Sequence, residues 1–196
     1  MKGLTFASLA LAAFVAGCAA SDPLASHPSN LEIQREVTMI IKRVKEETGA
    51  ALFDDLKRLV AYDVFSVRQT CELAEDPNAR LRSNAFWVLA QIQDPEHPEL
   101  MQQIDRTLRD GLLDVEPTAR FEAAAGLAAR GKWEVVPVLI EGLESKESGI
   151  RYRCNEQLIA TTSRDFGYAT DAPAESRENA VARWRAWYAD WQKSRS

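Results

Sequence analysis

Histidine and cysteine are scarce in this chain: His27, His97, Cys18, Cys71 and Cys154 are the whole complement in 196 residues. That excludes a disulfide framework, and none of these residues has the spacing of a zinc site. Positive charge is in deficit as well, with 24 Lys and Arg against 29 Asp and Glu. Affinity for a phosphate backbone rests on clustered cations, so nucleic acid is disfavoured as a partner. Strand-type alternation is almost missing beyond residue 30, which argues against a β-rich fold. The one long apolar run, residues 3–17, is too short to span a bilayer as a helix.

That run has a single cation, Lys2, before it and ends in Val15-Ala16-Gly17-Cys18. The layout resembles a bacterial lipoprotein signal peptide with its lipobox. The resemblance implies cleavage before Cys18, with fatty-acyl chains of the palmitate type on its thiol as a membrane anchor. Two signals or more make such anchoring stable. Ala19 and Ala20, rather than Asp, follow the cysteine, which in this class implies the periplasmic face of the outer membrane. Removing residues 1–17 takes away Lys2 alone and leaves 23 basic against 29 acidic side chains, a net charge of −6. Residues 18–30 carry no apolar periodicity and read as the lipidated cysteine and a tether with an end-to-end distance of roughly 20 Å.

Beyond the tether, apolar residues recur at steps of three and four. Ile33, Val37, Ile40, Ile41 and Val44 form one such stripe, and Leu52, Phe53, Leu56, Leu59 and Val60 the next. Breaks are expected at Thr48-Gly49, Tyr62-Asp63, Glu75 to Asn78, Asp94-Pro95, Gly111, Glu116-Pro117, Gly131 and Ser145 to Gly149. Helices this short are marginal alone and must pair to bury their stripes.

An internal repeat supplies the pairing. Arg82, Arg120 and Arg151 are each followed by a small residue at +3 (Ala85, Ala123, Cys154) and by leucine at +7 (Leu89, Leu127, Leu158). Those offsets share one helical face, where a small side chain permits close helix approach. The spacings of 38 and 31 residues fit a helix-turn-helix unit stacked in series. With Val135-Val136-Pro137-Val138 opening a second helix, residues 50–162 resemble the HEAT-repeat family. The resemblance implies an all-α fold, a short α-solenoid of antiparallel helix pairs over residues 31–162, used as a binding scaffold. The pair at Leu52 to Leu73 departs from the pattern and reads as an atypical cap.

Residues 163–196 read as a loop and a last helix. Trp184, Trp187 and Trp191 lie at i, i+3 and i+7 and form one stripe, with Phe166 and Tyr168 expected beneath it. A capping role is favoured over an aromatic surface for a ligand, because terminal units must cover the core. Asp165-Phe166-Gly167 copies a kinase metal-binding tripeptide, but no Gly-rich loop or catalytic loop accompanies it, so it reads as a turn.

The once-per-unit arginines allow two readings: an exposed ladder for an acidic partner, or structural pairing with the preceding turn, where Asp76, Asp114, Glu116 and Glu147 offer carboxylates. The second is favoured. His97 among Asp94, Glu96 and Glu99 reads as a turn rather than a metal site. Asp54-Asp55 and Glu46-Glu47 read as solvated charge. Cys71 and Cys154 read as packed thiols, with a single bridge as the alternative. The sequence offers no catalytic constellation and points to no metal or cofactor. The leading expectation is a non-catalytic scaffold that binds another envelope protein and reaches the membrane through Cys18. A polysaccharide- or small-ligand-binding lipoprotein using Trp87, Trp133 or the C-terminal stripe is the alternative, followed by an enzyme related to HEAT-like lyases.

Overall fold

The computed structural model describes residues 30–195. Cys18, the leader and the tether up to residue 29 lie outside the described residues. Among the described residues all regular structure is helical, in nine α-helices and two 3-10 turns. The first four helices are α1 (Asn30–Glu46), α2 (Gly49–Ala61), α3 (Val67–Leu73) and α4 (Ala79–Gln91). They are followed by α5 (Pro98–Gly111), α6 (Pro117–Ala129), α7 (Val136–Gly142), α8 (Ser148–Thr162) and α9 (Ala174–Lys193).

Local chemistry explains most boundaries. The Asn78 side chain accepts the Arg80 amide and caps α4, and proline opens α5 and α6, where a missing N–H costs nothing. Gly131 ends α6 at φ +77°, its amide bonded to Ala128 while the Lys132 amide reaches Leu127. This pair of bonds closes the helix end and needs a residue at ease in the left-handed region. The segment expected as one helix from Trp133 to Leu143 divides into a 3-10 turn, Trp133–Val135, and α7. Pro137 is the reason: lacking an N–H, it is tolerated only in a first turn, so the α-helix starts beside it.

Neighbouring helices pair along the chain, α1 with α2, α3 with α4, α5 with α6 and α7 with α8. The even-numbered helices also touch in series, α2 on α4, α4 on α6 and α6 on α8, while α1 meets α3, α3 meets α5 and α7 meets α9. One buried cluster runs through these contacts from Val37 to Tyr188. Phe53 departs from the expected buried stripe of α2. It is half exposed and lies against Trp87 of α4, ring centroids 5.5 Å apart, with the Lys57 ammonium over its face.

The small residues of the repeat frame are fully buried: Ala85, Ala123 and Cys154 have no exposed surface. Two of them, Ala123 and Cys154, face glycines at the ends of the preceding helices. A Cβ on Gly111 would lie 2.7 Å from the Ala123 Cβ and 2.6 Å from the Phe86 ring. One on Gly142 would lie 2.3 Å from the Cys154 Sγ. The helix ends approach this closely only because both partners are small.

Gly142→Ala is therefore expected to lower stability by about 1–3 kcal/mol, the usual range for an overpacked interior. Urea unfolding checks this, and the loss should shrink in a Cys154→Ala background, where the clashing sulfur is gone. An equal loss in both backgrounds would contradict the packing account.

Candidate functional site

The three frame arginines sit in the first turns of α4, α6 and α8 and reach back to the turn before their own helix. Arg82 Nη1 donates to the carbonyls of Asp76 (3.0 Å) and Pro77 (2.9 Å). Arg120 Nη1 donates to the Asp114 carbonyl at 3.1 Å. Arg151 Nη1 donates to the carbonyls of Ser145 (3.0 Å) and Lys146 (2.9 Å).

The expected carboxylate partners are corrected. Asp76 and Asp114 meet Arg82 and Arg120 through backbone carbonyls, and neither Glu116 nor Glu147 bonds a frame arginine among the described residues. The carboxylate of Arg82 comes from the following turn. Its Nε and Nη2 take both oxygens of Asp114, at 2.6 and 2.7 Å, in a bidentate fork. Asp114 Oδ1 also accepts the Glu116 amide at 2.9 Å, so one side chain closes its own turn and ties it to the previous one. Asp76 is bonded in a similar way: Lys45 of the last turn of α1 donates Nζ to its Oδ2 at 3.0 Å, while its Oδ1 accepts the Asn78 amide. At the next turn the corresponding residue is Ser145, and the carboxylate that Arg120 meets among the described residues is Glu141, at 3.8 Å.

Further charges are committed to inter-helix bonds. Asp55, expected as solvated, is buried under the Arg43 fork at 2.6 and 2.7 Å, with Arg58 at 3.4 Å. Asp54 does lie at the surface, on Lys57. Arg130 is almost wholly buried, bonded to Asp105 (2.6 Å) and to the Ile92 carbonyl (2.6 Å). Arg153 of α8 binds Glu122 of α6 at 2.8 Å. Periodicity gave no sign of Arg130 or Arg153, because neither belongs to the repeat frame.

The aromatic residues assemble as one group. Trp184 is fully buried, with Phe166 edge-on at 4.7 Å and Trp187 at 5.7 Å between centroids. Trp191 stacks on Trp133 at 5.0 Å and on Tyr188 at 5.4 Å, and the Arg195 guanidinium lies over it. Tyr168 is buried and donates its hydroxyl to the Leu143 carbonyl at 2.6 Å. The Asp165-Phe166-Gly167 segment is a turn: Asp165 Oδ1 accepts the Gly167 amide at 2.7 Å, with Gly167 at φ +70°. Arg183 holds it through the Phe166 carbonyl.

His97 Nδ1 lies 2.9 Å from Asp94 Oδ2, and this bond raises the imidazole above its ordinary value. No group of three metal-ligating side chains occurs among the described residues. Cys71 and Cys154 are buried free thiols. Burial pushes both up, Cys154 to about 12, which leaves them protonated and unreactive at neutral pH. No helix among the described residues is long and apolar enough to cross a membrane. Family models and characterised proteins gave no match to this chain.

The ion pairs set the acid response. Asp114 is held below the ordinary carboxylate value of 3.8 by the Arg82 hydrogen bonds, and Asp55 likewise by Arg43. A carboxylate with a depressed folded value adds stability that is complete above 3.8 and disappears as pH falls through that depressed value. Asp114→Asn is expected to cost about 1–3 kcal/mol at pH 7, the range for a charge-assisted hydrogen bond. In thermal melts from pH 7 to pH 2 the gap between wild type and variant should close in acid. A gap independent of pH would contradict the pairing.

Proposed function

We propose that the chain is a HEAT-like α-solenoid anchored to the bacterial cell envelope by acyl chains on Cys18, and that it serves as a non-catalytic scaffold for another envelope protein. The observation that carries the repeat reading is the Arg82 guanidinium, bonded to the turn before its helix and to Asp114 of the next turn at the register of the sequence repeat. The Lys45 and Asp76 bond in the preceding unit supports the same reading. Stacked units leave long helical surfaces available, which is how such arrays bind proteins.

The α9 aromatic group is the C-terminal cap of the array. Its rings pack on one another and on Trp133, which supports a cap over the alternative of a polysaccharide or small-ligand platform. The anchor rests on Val15-Ala16-Gly17-Cys18 and on the location it implies, the periplasmic face of the outer membrane. The negative charge disfavours nucleic acid as the partner.

The test is expression of the native chain and of Cys18→Ala in bacteria fed an alkynyl fatty acid, followed by fractionation and crosslinked affinity capture. Label on the wild type alone, its sedimentation with membranes, and an envelope protein captured only with it are expected. An unlabelled, soluble wild type would overturn the anchor. An anchored wild type without any partner would overturn the scaffold.

A further inference from the structure

Leu31, Arg35, Met39 and Lys42 follow one another along α1 at steps of four, four and three, which places them on one side of the helix. Leu31 is 76% exposed and Met39 54%, and both cations are exposed as well. Val37, Ile40 and Val44 are buried in the core. Exposed apolar side chains interleaved with arginine and lysine suit a helix that lies against a lipid surface, with the apolar groups among the acyl chains and the cations at the headgroups.

A cavity of about 620 Å³ opens at this helix, between α1 and α2. Its size falls within the range of about 300–1,000 Å³ that ligand sites occupy. Met39, Ile40 and Ala61 supply apolar wall, and Arg35 and Arg58 supply charge. A third cation of the lining, Arg43, is spent on the Asp55 fork. Arg35 has no hydrogen-bond or ion-pair partner among the described residues, and Arg58 reaches Asp55 only at 3.4 Å. Glu36 also lines the cavity, and the Tyr62 hydroxyl donates to its carboxylate. A second cavity, of about 670 Å³, shares Arg58 and Ala61 with the first but carries Glu47 and Asp54. An anion is therefore favoured at the Arg35 end.

In a chain with more carboxylates than cations, two uncommitted arginines beside an apolar wall are an exception. Their place in the chain matters too. Residues 1–29, which hold the one long apolar run, lead directly into α1, so α1 is the described element nearest in sequence to any lipid that this run meets. We propose that the α1–α2 groove docks on an anionic lipid bilayer, taking one phosphate headgroup between Arg35 and Arg58, with Leu31 and Met39 in the acyl region beside it. The site goes beyond the scaffold reading and requires neither acylation of Cys18 nor the repeat assignment.

The test uses the full chain, labelled with ¹⁵N-arginine, in phosphatidylcholine bicelles whose phosphatidylglycerol fraction is raised at constant ionic strength. The Nε–Hε signals of Arg35 and Arg58 are expected to move saturably, in Cys18→Ala as in the wild type, while Arg183, bonded to the Phe166 carbonyl, stays still. Arg35→Gln should raise the half-saturating fraction, read on Arg58, by about fivefold, the worth of one cation at an anionic surface. Arg35 is exposed and unbonded among the described residues, so this variant should melt with the wild type, and Arg35→Lys should restore most of the response. Glu36→Gln should tighten binding by removing a competing charge. Saturation by inorganic phosphate alone would assign the groove to a free anion. Movement that follows protein concentration without phosphatidylglycerol would assign it to a second copy, and an Overhauser contact between Met39 and Leu24 to the chain's own residues 18–29. Each of these would overturn the proposal, as would a response lost in Cys18→Ala or linear, parallel shifts of all arginines.

Discussion

The Arg82 guanidinium joins the turn at Asp76 and Pro77 to Asp114, 32 residues beyond Arg82 in sequence, and so fixes the starts of α4 and α6 relative to each other. Five donors on a rigid plane satisfy two carbonyls on one side and a carboxylate on the other. Asp114 in turn shapes the start of α6 through the Glu116 amide. Neither helix start is free to move without breaking a charge-assisted bond on a side chain that water scarcely reaches. The net value of such a pair is modest against apolar alternatives, but leaving one partner alone is costly, so the pair acts chiefly to fix register.

Packing supplies the driving force that the rungs orient. Helices of 7 to 20 residues do not persist alone, and here they bury Leu89, Leu127 and Leu158 on one continuous core. Where that core needs helices closest together, glycine faces alanine or cysteine. In α9, which packs on α7, the rings of Trp184, Trp187 and Trp191 gather with Phe166 and Trp133 into one aromatic group. Loop 163–173 is drawn in by Tyr168 and by the Arg183 bonds to Phe166.

Most of this architecture was legible as periodicity. The helix breaks at Gly49, Asn78, Pro117 and Gly131 were readable because capping and proline chemistry act locally. The small residue and the leucine of the frame marked buried positions correctly, since they share one helical face. The direction of the rungs was not readable. Asp76 precedes Arg82 in sequence, yet its carboxylate serves Lys45, because the partner is chosen by how successive turns stack and not by chain proximity. A better signal was available: Asp76, Asp114 and Ser145 share the spacing of the arginines and place an acceptor at each turn. Asp55 and Arg130 escaped for a different reason. A charge on an amphipathic helix reads as solvated, and only the position of α1 over Asp55, or of the Ile92 carbonyl over Arg130, buries it. Gly111 read as a helix end, and its contact with Ala123 needed the tertiary structure.

The central claim is that Arg82 couples the turn before α4 to the turn before α6. Native-state hydrogen exchange on Arg82→Gln measures this directly. Faster opening is expected together at the amides of residues 78–82 and 114–118, with residues 145–151 unchanged. Acceleration confined to residues 78–82, with the Asp114 turn as protected as in the wild type, would contradict the coupling.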